Sequence, residues 1–458
     1  MGTSFHSTVR TFTFKGKILV FLVKSLYLVA GLFMKMRHRR PVREHHEDPA
    51  RMSLRESLYL GSKYYLHAPV EAENEKVKEY FLHQNYDLKA PDGFITKHTM
   101  RLSAGGDLMP YRMINKEICS KLWEHCGAFY FDADLVFANL ETPLVPERPV
   151  SAVPEVMLNH MLFNANEEMF DIFSGCGKFK GFDVLSVINN HSLDQGEEGF
   201  VRTLDYLEGK NIKTCGGRKK ADEKAYAILE KNGIKLAFIG ATFSLNQFSV
   251  PKNQARMLNH ILLNDENCDF SILEEEAAEA RAAGADIIIL SLHMGPAYQA
   301  YPGSIAIRNM QKAVEATEAG LVIGTHPHHM QAFAVHRYKN RDGIQVEAPM
   351  FFSMGDFVAC DIFKWGHACM IVKAEIEKGM IGERTFTRVS RIRIQPWYLK
   401  TGGKSRIDSL EFYPLYDFPL YRKNIENKIV AGEWEELIAF SDQFIFPNAE
   451  ARKWLQKN

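Results

Sequence analysis

Seven short apolar runs constrain this chain most, because each ends abruptly in a residue that turns the backbone or can hold a metal ion. They are "MRLSAGGDL" (100–108), "DLVFANLE" (134–141), "FDVLSVINNH" (182–191), "IKLAFIGAT" (234–242), "DIIILSLHMG" (286–295), "GLVIGTHPHH" (320–329) and "APMFFSMGDF" (348–357). The run of four aliphatic residues at 287–290 is expected for a strand buried on both faces. Helical patterns lie between several of the runs, at 197–209 and at 271–283, "SILEEEAAEARAA". Strands alternating with helices predict an α/β fold. Open α/β sheets place their sites at the carboxyl ends of the strands, where these polar residues stand.

The totals narrow the partner. Lys+Arg and Asp+Glu both number 56, so no overall basic field points to nucleic acid. With 46% hydrophobic residues the chain can bury a large core. The seven cysteines are scattered and contain no Cys-x-x-Cys pair, which favours reduced structural thiols over a disulfide framework or a thiolate zinc site.

Residues 18–34, "ILVFLVKSLYLVAGLFM", are the one candidate membrane segment. The run is short for a span, and Lys24 would cost about 2.5–3.5 kcal/mol at a bilayer centre. Arg10, Lys17, Lys24, Gly31 and His38 recur every seventh residue, a mostly basic stripe on an otherwise apolar helix. The expectation is membrane association through residues 15–36, with the helix lying on the surface. A helix packed internally on the body is the alternative. The basic residues that follow lean the next domain to the cytoplasmic side.

The chain divides into a membrane-associating segment and basic linker (1–50), a helical N-terminal extension (51–97), a main domain (98–375) and a C-terminal lobe (376–458). In that lobe "RTFTRVSRIRIQPWYL" reads as two alternating strands, and "TGGKS" (401–405) as a hairpin turn rather than a phosphate loop, because Tyr398 stands where its first glycine is required.

His326 and His328 are two apart. Pro327 biases His326 towards an extended backbone, in which positions two apart share a side, so both imidazoles can face one site while His329 points away. Asp107, Glu141, Asn190 and His293 also sit at strand exits. Carboxylate, amide and imidazole together suit zinc, manganese or iron. This is more than one four-coordinate ion needs, but two ions about 3.5–4 Å apart with a bridging carboxylate use such a set economically.

The ordered motifs "GDLM", "ANLETPL", "INNHSLDQGEEG", "SLHMG", "GTHPHHMQ" and "FSMGDF" resemble the CapA family of bacterial capsule and poly-γ-glutamate synthesis proteins, within the calcineurin-like metallophosphoesterases. The resemblance covers roughly residues 98–375. It implies a sandwich of two β-sheets flanked by helices, two divalent ions, and hydrolysis by water activated on them. Asp107 and His328 match ligands of the first metal; Asn190, His293 and His326 match ligands of the second; Glu141 matches the bridging carboxylate. His191 matches the histidine that protonates the leaving oxygen. Where the superfamily has Asp-x-His this chain has Asp107-Leu108-Met109, so the first metal is expected to bind more weakly. Asp356 stands where the family usually has Asn, and Met294 and Ala297 replace a tryptophan and a carboxylate.

Asp194 has two competing roles: capping the helix that starts near residue 195, or orienting His191. Three functions stay open: a capsule-biosynthesis protein with a metal-dependent hydrolase site, a non-catalytic assembly or export subunit of a membrane polymer synthase, and a housekeeping metallophosphatase. The implied partners are a membrane surface and other synthase subunits.

Overall fold

The computed structural model describes residues 8–33, 47–158, 161–358, 360–403 and 406–456. His38, residues 34–36 and most of the basic linker therefore lie outside the described residues, as do Lys404 and Ser405 of "TGGKS".

The strands are β1 (Phe94–Leu108), β2 (Leu135–Leu140), β3 (Val184–Ser186), β4 (Lys213–Cys215), β5 (Ala227–Lys231), β6 (Ile234–Thr242), β7 (Ile287–His293), β8 (Leu321–Thr325), β9 (Phe333–Lys339), β10 (Gln345–Phe351), β11 (Ala368–Ile381), β12 (Arg384–Thr401) and β13 (Leu410–Pro414). All seven apolar runs contain one. They form a seven-stranded sheet, β13-β12-β11-β1-β2-β3-β4, and a six-stranded sheet, β5-β6-β7-β8-β10-β9. In the centre of each sheet the strands are parallel, which brings their carboxyl ends to one edge.

Alternation along the strands builds the layers. Leu135 and Phe137 of β2 enter the core between the sheets, whereas Val136 and Ala138 face an outer core. Leu236 and Phe238 of β6 do the same from the other sheet, while Ala237 and Ile239 face the helices Ser271–Ala282 and Ser304–Thr317. Phe137 and Phe238 stack across the sandwich, 5.7 Å between centroids. The fold is therefore a mixed α/β arrangement of two sheets flanked by helices.

Three expectations are corrected. The boundaries at 97/98 and 375/376 fall inside β1 and β11, because β1 pairs with β11 along most of its length; the C-terminal stretch extends the same sheet. Second, "RTFTRVSRIRIQPWYL" lies in one long strand, β12. Glu375 pairs with Arg391 and Ile376 with Val389, so Ser390 is an extra residue, and this bulge breaks the alternation and makes one strand read as two. Third, the basic stripe is not one exposed line: Lys17 is exposed, but Arg10 and Lys24 are drawn towards the body. Helix α1 (Phe14–Phe33) starts after Arg10, which is held in an extended segment by Glu433, 2.5 Å away. Lys24 is half-buried, and burial together with Lys364 lowers its pKa.

The face of α1 turned to the body carries Val20 and Tyr27; Tyr27 stacks on Tyr65 of α2 (Leu54–Tyr65). Phe14, Phe21, Leu22, Leu26, Leu28 and Leu32 are exposed. Among the described residues, no helix is long and apolar enough to cross a membrane. Helix α2 begins with the sequence Ser53-Leu54-Arg55-Glu56, a reciprocal capping box. It sits over the strand ends, with Tyr64 bonded to Asp361 and Lys63 paired with Glu47.

Candidate metal centre

Each expected ligand comes from the carboxyl end of a strand. Asp107 is the penultimate residue of β1, Glu141 follows β2, Asn190 and His191 follow β3, His293 ends β7, and His326 and His328 follow β8. All are buried except His328, which is slightly more open. The turn after β10 adds a residue that strand-end reasoning left unassigned. Gly355 and Asp356 run against the end of β1: the Asp107 amide donates to the Gly355 carbonyl at 3.1 Å, and the Phe357 amide to the Asp107 carbonyl at 2.6 Å. A Cβ on Gly106 would lie 1.8 Å from the Gly355 oxygen, so this close approach requires glycine there. Asp107 and Asp356 are thereby set side by side.

Three overlapping groups have donor atoms within 4.8 Å of one another: Glu141, His326 and His328; Asp107, His328 and Asp356; and Asp107, Glu141 and His293. Asn190 Oδ1 lies 2.8 Å from His293 Nε2, while its Nδ2 donates to Asn246. Every residue expected in the site is gathered here. Met109 supplies no imidazole beside Asp107, but Asp356 joins Asp107 and His328 in one donor triad.

The donor set fits divalent ions. Both carboxylate oxygens of Glu141 and both ring nitrogens of His326 are buried and make no hydrogen bond among the described residues. Buried polar atoms left that way cost about 1–3 kcal/mol each, and a cation would meet them. Mixed nitrogen and oxygen donors suit zinc, manganese or iron.

The electrostatics point the same way. Burial, reinforced by Glu141, pushes Asp107 up to about 8, and burial pushes Glu141 up to about 7. Burial also takes His293 down to about 3 and His326 well below the usual imidazole range. On His328 burial opposes the charge, but Asp356, Glu141 and Asp107 outweigh it and raise the imidazole to about 10.

A divalent ion must displace the protons on Asp107, Glu141 and His328, all of which have raised pKa values. Affinity should therefore be lowest in acid and climb as pH rises through 7 and 8. Each displaced proton would contribute about tenfold per pH unit below its pKa. Calorimetric titrations with manganese at pH 6, 7, 8 and 9 check the sign, and affinity independent of pH would contradict it.

Asp194 is not a cap. The helix Gly196–Gly209 has Gln195 at its N-cap position and no side-chain cap. Instead Asp194 Oδ2 lies 2.6 Å from His191 Nδ1 and accepts from the Phe163 amide at 2.7 Å. The positive φ of Gly196, 72°, lets the chain leave the loop so that Asp194 turns back under His191 rather than over the helix end. Phe163 stacks on the imidazole at 4.0 Å. A carboxylate on Nδ1 directs Nε2 to any proton transfer.

The two histidines after β8 do share a side, but not through an extended chain. His326 has φ 98° and His328 φ 63°, so both occupy the left-handed region. Such backbone costs about 1–3 kcal/mol per residue and persists where the surroundings over-determine it. Here the His326 amide donates to Asp107 Oδ2 at 3.0 Å and His328 Nδ1 lies 3.0 Å from Asp356 Oδ1. His329 faces the core against Trp365 and Phe440.

Sequence reasoning missed Asn139, which donates to Asp107 Oδ1 at 2.7 Å and lies 3.4 Å from His293 Nδ1. It also missed Thr325, 2.9 Å from His293 Nδ1, and left Asp356 unassigned. Asn139 satisfies the same rule that found the others, a polar residue at a strand end, whereas Asp356 lies beyond the end of β10 and is placed by its turn against β1.

A cavity of about 180 Å³ opens on the cluster, lined by Asn190, His191, His326 and His328 at its floor and by Tyr64, Tyr298 and Phe163 among its walls. A larger one, about 320 Å³ near Arg112, Glu155 and Arg406, includes none of the expected site residues.

With this geometry in place, comparison with known proteins can be stated. The family model "Bacterial capsule synthesis protein PGA_cap" matches residues 101–360. The capsule biosynthesis protein CapA of Bacillus anthracis is 25% identical over 283 residues, covering 60% of this chain and 63% of that protein. The PGA biosynthesis protein CapA of Bacillus subtilis (strain 168) is 25% identical over 296 residues, covering 63% and 67%. The chain thus spans just under two thirds of the first relative's length. Among solved structures, the calcineurin-like phosphoesterase YfkN from Bacillus subtilis is similar with a TM-score of 0.36 and 13% identity, covering 74% of this chain and 99% of that one. More than half of the chain lies within the match to the family model, and this protein belongs to the bacterial capsule synthesis protein family.

Proposed function

We propose that this protein is a metal-dependent hydrolase of phosphoesterase type acting in capsule biosynthesis, in a poly-γ-glutamate system like that named for its Bacillus subtilis relative. One observation carries the reading: a cavity is lined by His326 and His328 of the overlapping donor triads and, beside them, by His191, a histidine held by a buried aspartate. Asp107, His328 and Asp356 would hold one ion, and Asn190, His293 and His326 a second, with Glu141 between them. When bound, the ions supply Lewis acidity and bring the pKa of water from 15.7 towards about 7. Asn139 orients Asp107 and His293. Asp194 holds His191 so that its Nε2 delivers a proton to the leaving oxygen.

Purified protein should contain manganese, zinc or iron and hydrolyse bis-p-nitrophenyl phosphate. Metal-loaded protein with no turnover, whose gene still supports polymer formation, would favour the second reading, an assembly subunit of a membrane polymer synthase. Met109, in place of the superfamily's imidazole, favours that alternative.

The exposed face of α1 supports association with a membrane surface, through Phe21, Leu22 and Leu26. Flotation with phosphatidylglycerol vesicles should be lost when all three become glutamate; unchanged flotation would contradict the assignment.

A further inference from the structure

Among the described residues, no lysine or arginine lines the cavity above the cluster. Lys63, buried behind it, is already paired with Glu47. The titratable groups of the wall besides the tyrosines are carboxyls: Glu47, which also accepts from the Ala297 amide at 2.8 Å, and Asp361, which accepts from Tyr64. The remainder of the wall is mostly apolar or aromatic. Tyr298 stacks on His328 and packs against Tyr64, Phe163 lies on His191, and Met157 and Met161 complete the side.

Attraction for an anion is therefore confined to the floor. A second negative group entering the cavity would find Asp361, the Glu47 already paired with Lys63, and no lysine or arginine on the wall among the described residues, while an uncharged chain would lie along aromatic rings and thioethers. The apolar wall also continues outward. Tyr64 and Tyr65 pack with Val156 and Val20, the inner side of α1, and the Tyr65 hydroxyl donates to the Met157 carbonyl at 3.0 Å. Met157 is 40% exposed at the mouth.

We infer that the site takes an amphiphile, with one anionic ester group at the metal cluster and an uncharged apolar chain along the wall of Tyr64, Tyr298, Phe163 and Met157. The inference rests on the hydrolase reading for its chemistry but not for its test. Within capsule biosynthesis it assigns this site to a lipid-type ester rather than to the polyanionic polymer.

The test is calorimetric binding of methyl-, butyl- and octylphosphonate to the manganese-loaded full chain, with a glutamate hexamer as the polyanionic probe. Affinity should rise by about fourfold for each methylene taken into the cavity. Octylphosphonate should bind at least a hundredfold more tightly than methylphosphonate, and the hexamer more weakly than either. Met157→Lys should flatten the series while leaving manganese content and methylphosphonate affinity unchanged. Equal affinity along the series, no binding of octylphosphonate, or tighter binding of the hexamer would overturn the inference. Chain-length dependence without any turnover would leave the inference standing and refute the hydrolase reading.

Discussion

Under the proposed hydrolase function, replacing His191 with alanine is expected to lower kcat by about 10²–10⁴-fold, the usual contribution of a positioned general acid, and to leave metal content unchanged. The second half follows from position: His191 is in none of the donor triads, and its Nδ1 is taken by Asp194. Asp194→Asn separates orientation from charge. The amide can still accept from the Phe163 amide, so the loop keeps its shape, but it holds the imidazolium less well, and kcat falls by about 10–100-fold. Helix stability is unchanged because Asp194 caps nothing. Metal content by mass spectrometry beside kcat decides the matter. An alanine variant that loses metal and activity together would make His191 a structural residue.

Glu141→Ala has the opposite signature. Glu141 belongs to two of the three donor triads, and its two oxygens have no hydrogen-bonding duty among the described residues. Removing it gives up one ion pair, to His293 at 3.4 Å, and takes away the carboxylate that the proposed ions would share. Metal affinity should fall by more than the 10–100-fold typical of outer partners. The metal-free variant should be at least as heat-stable as the metal-free parent, since burial penalises this carboxylate and pushes it up to about 7. Calorimetric titration with manganese and thermal unfolding after chelation check both halves. Unaltered affinity would remove Glu141 from the centre.

Most of the site was legible because local sequence sets it. A buried strand must stop where a polar side chain begins, and parallel pairing then brings the stops to one edge. Where a feature depends on contacts across the fold, the sequence was mute. Asp356 becomes a donor because Gly106 and Gly355, far apart in sequence, pass without side chains between them. His326 and His328 adopt left-handed backbone because Asp107 and Asp356 hold them there, against the extended preference set by Pro327. The seven-residue stripe of α1 marks one line on a helix but not whether that line faces protein or solvent. Glu155 decides: it accepts from the Phe12 and Thr13 amides at the helix start and fixes which side meets the body. Asp194-x-x-Glu197 had the spacing of a capping box, but the positive φ of Gly196 turned Asp194 towards His191.

The place of β1 in its sheet has a consequence for the order of synthesis. β1 carries Asp107 and is flanked by β2, made soon after it, and by β11, made after residue 367. Asp356 and both histidines after β8 also come late. A nascent chain therefore holds Asp107 and Glu141 without their partners until most of the polypeptide has left the ribosome. Such long-range closure is slow and leaves a strand edge open meanwhile. Of the three donor triads, the one that includes Asp356 is therefore the last to be assembled, after those that end at His293 and His328.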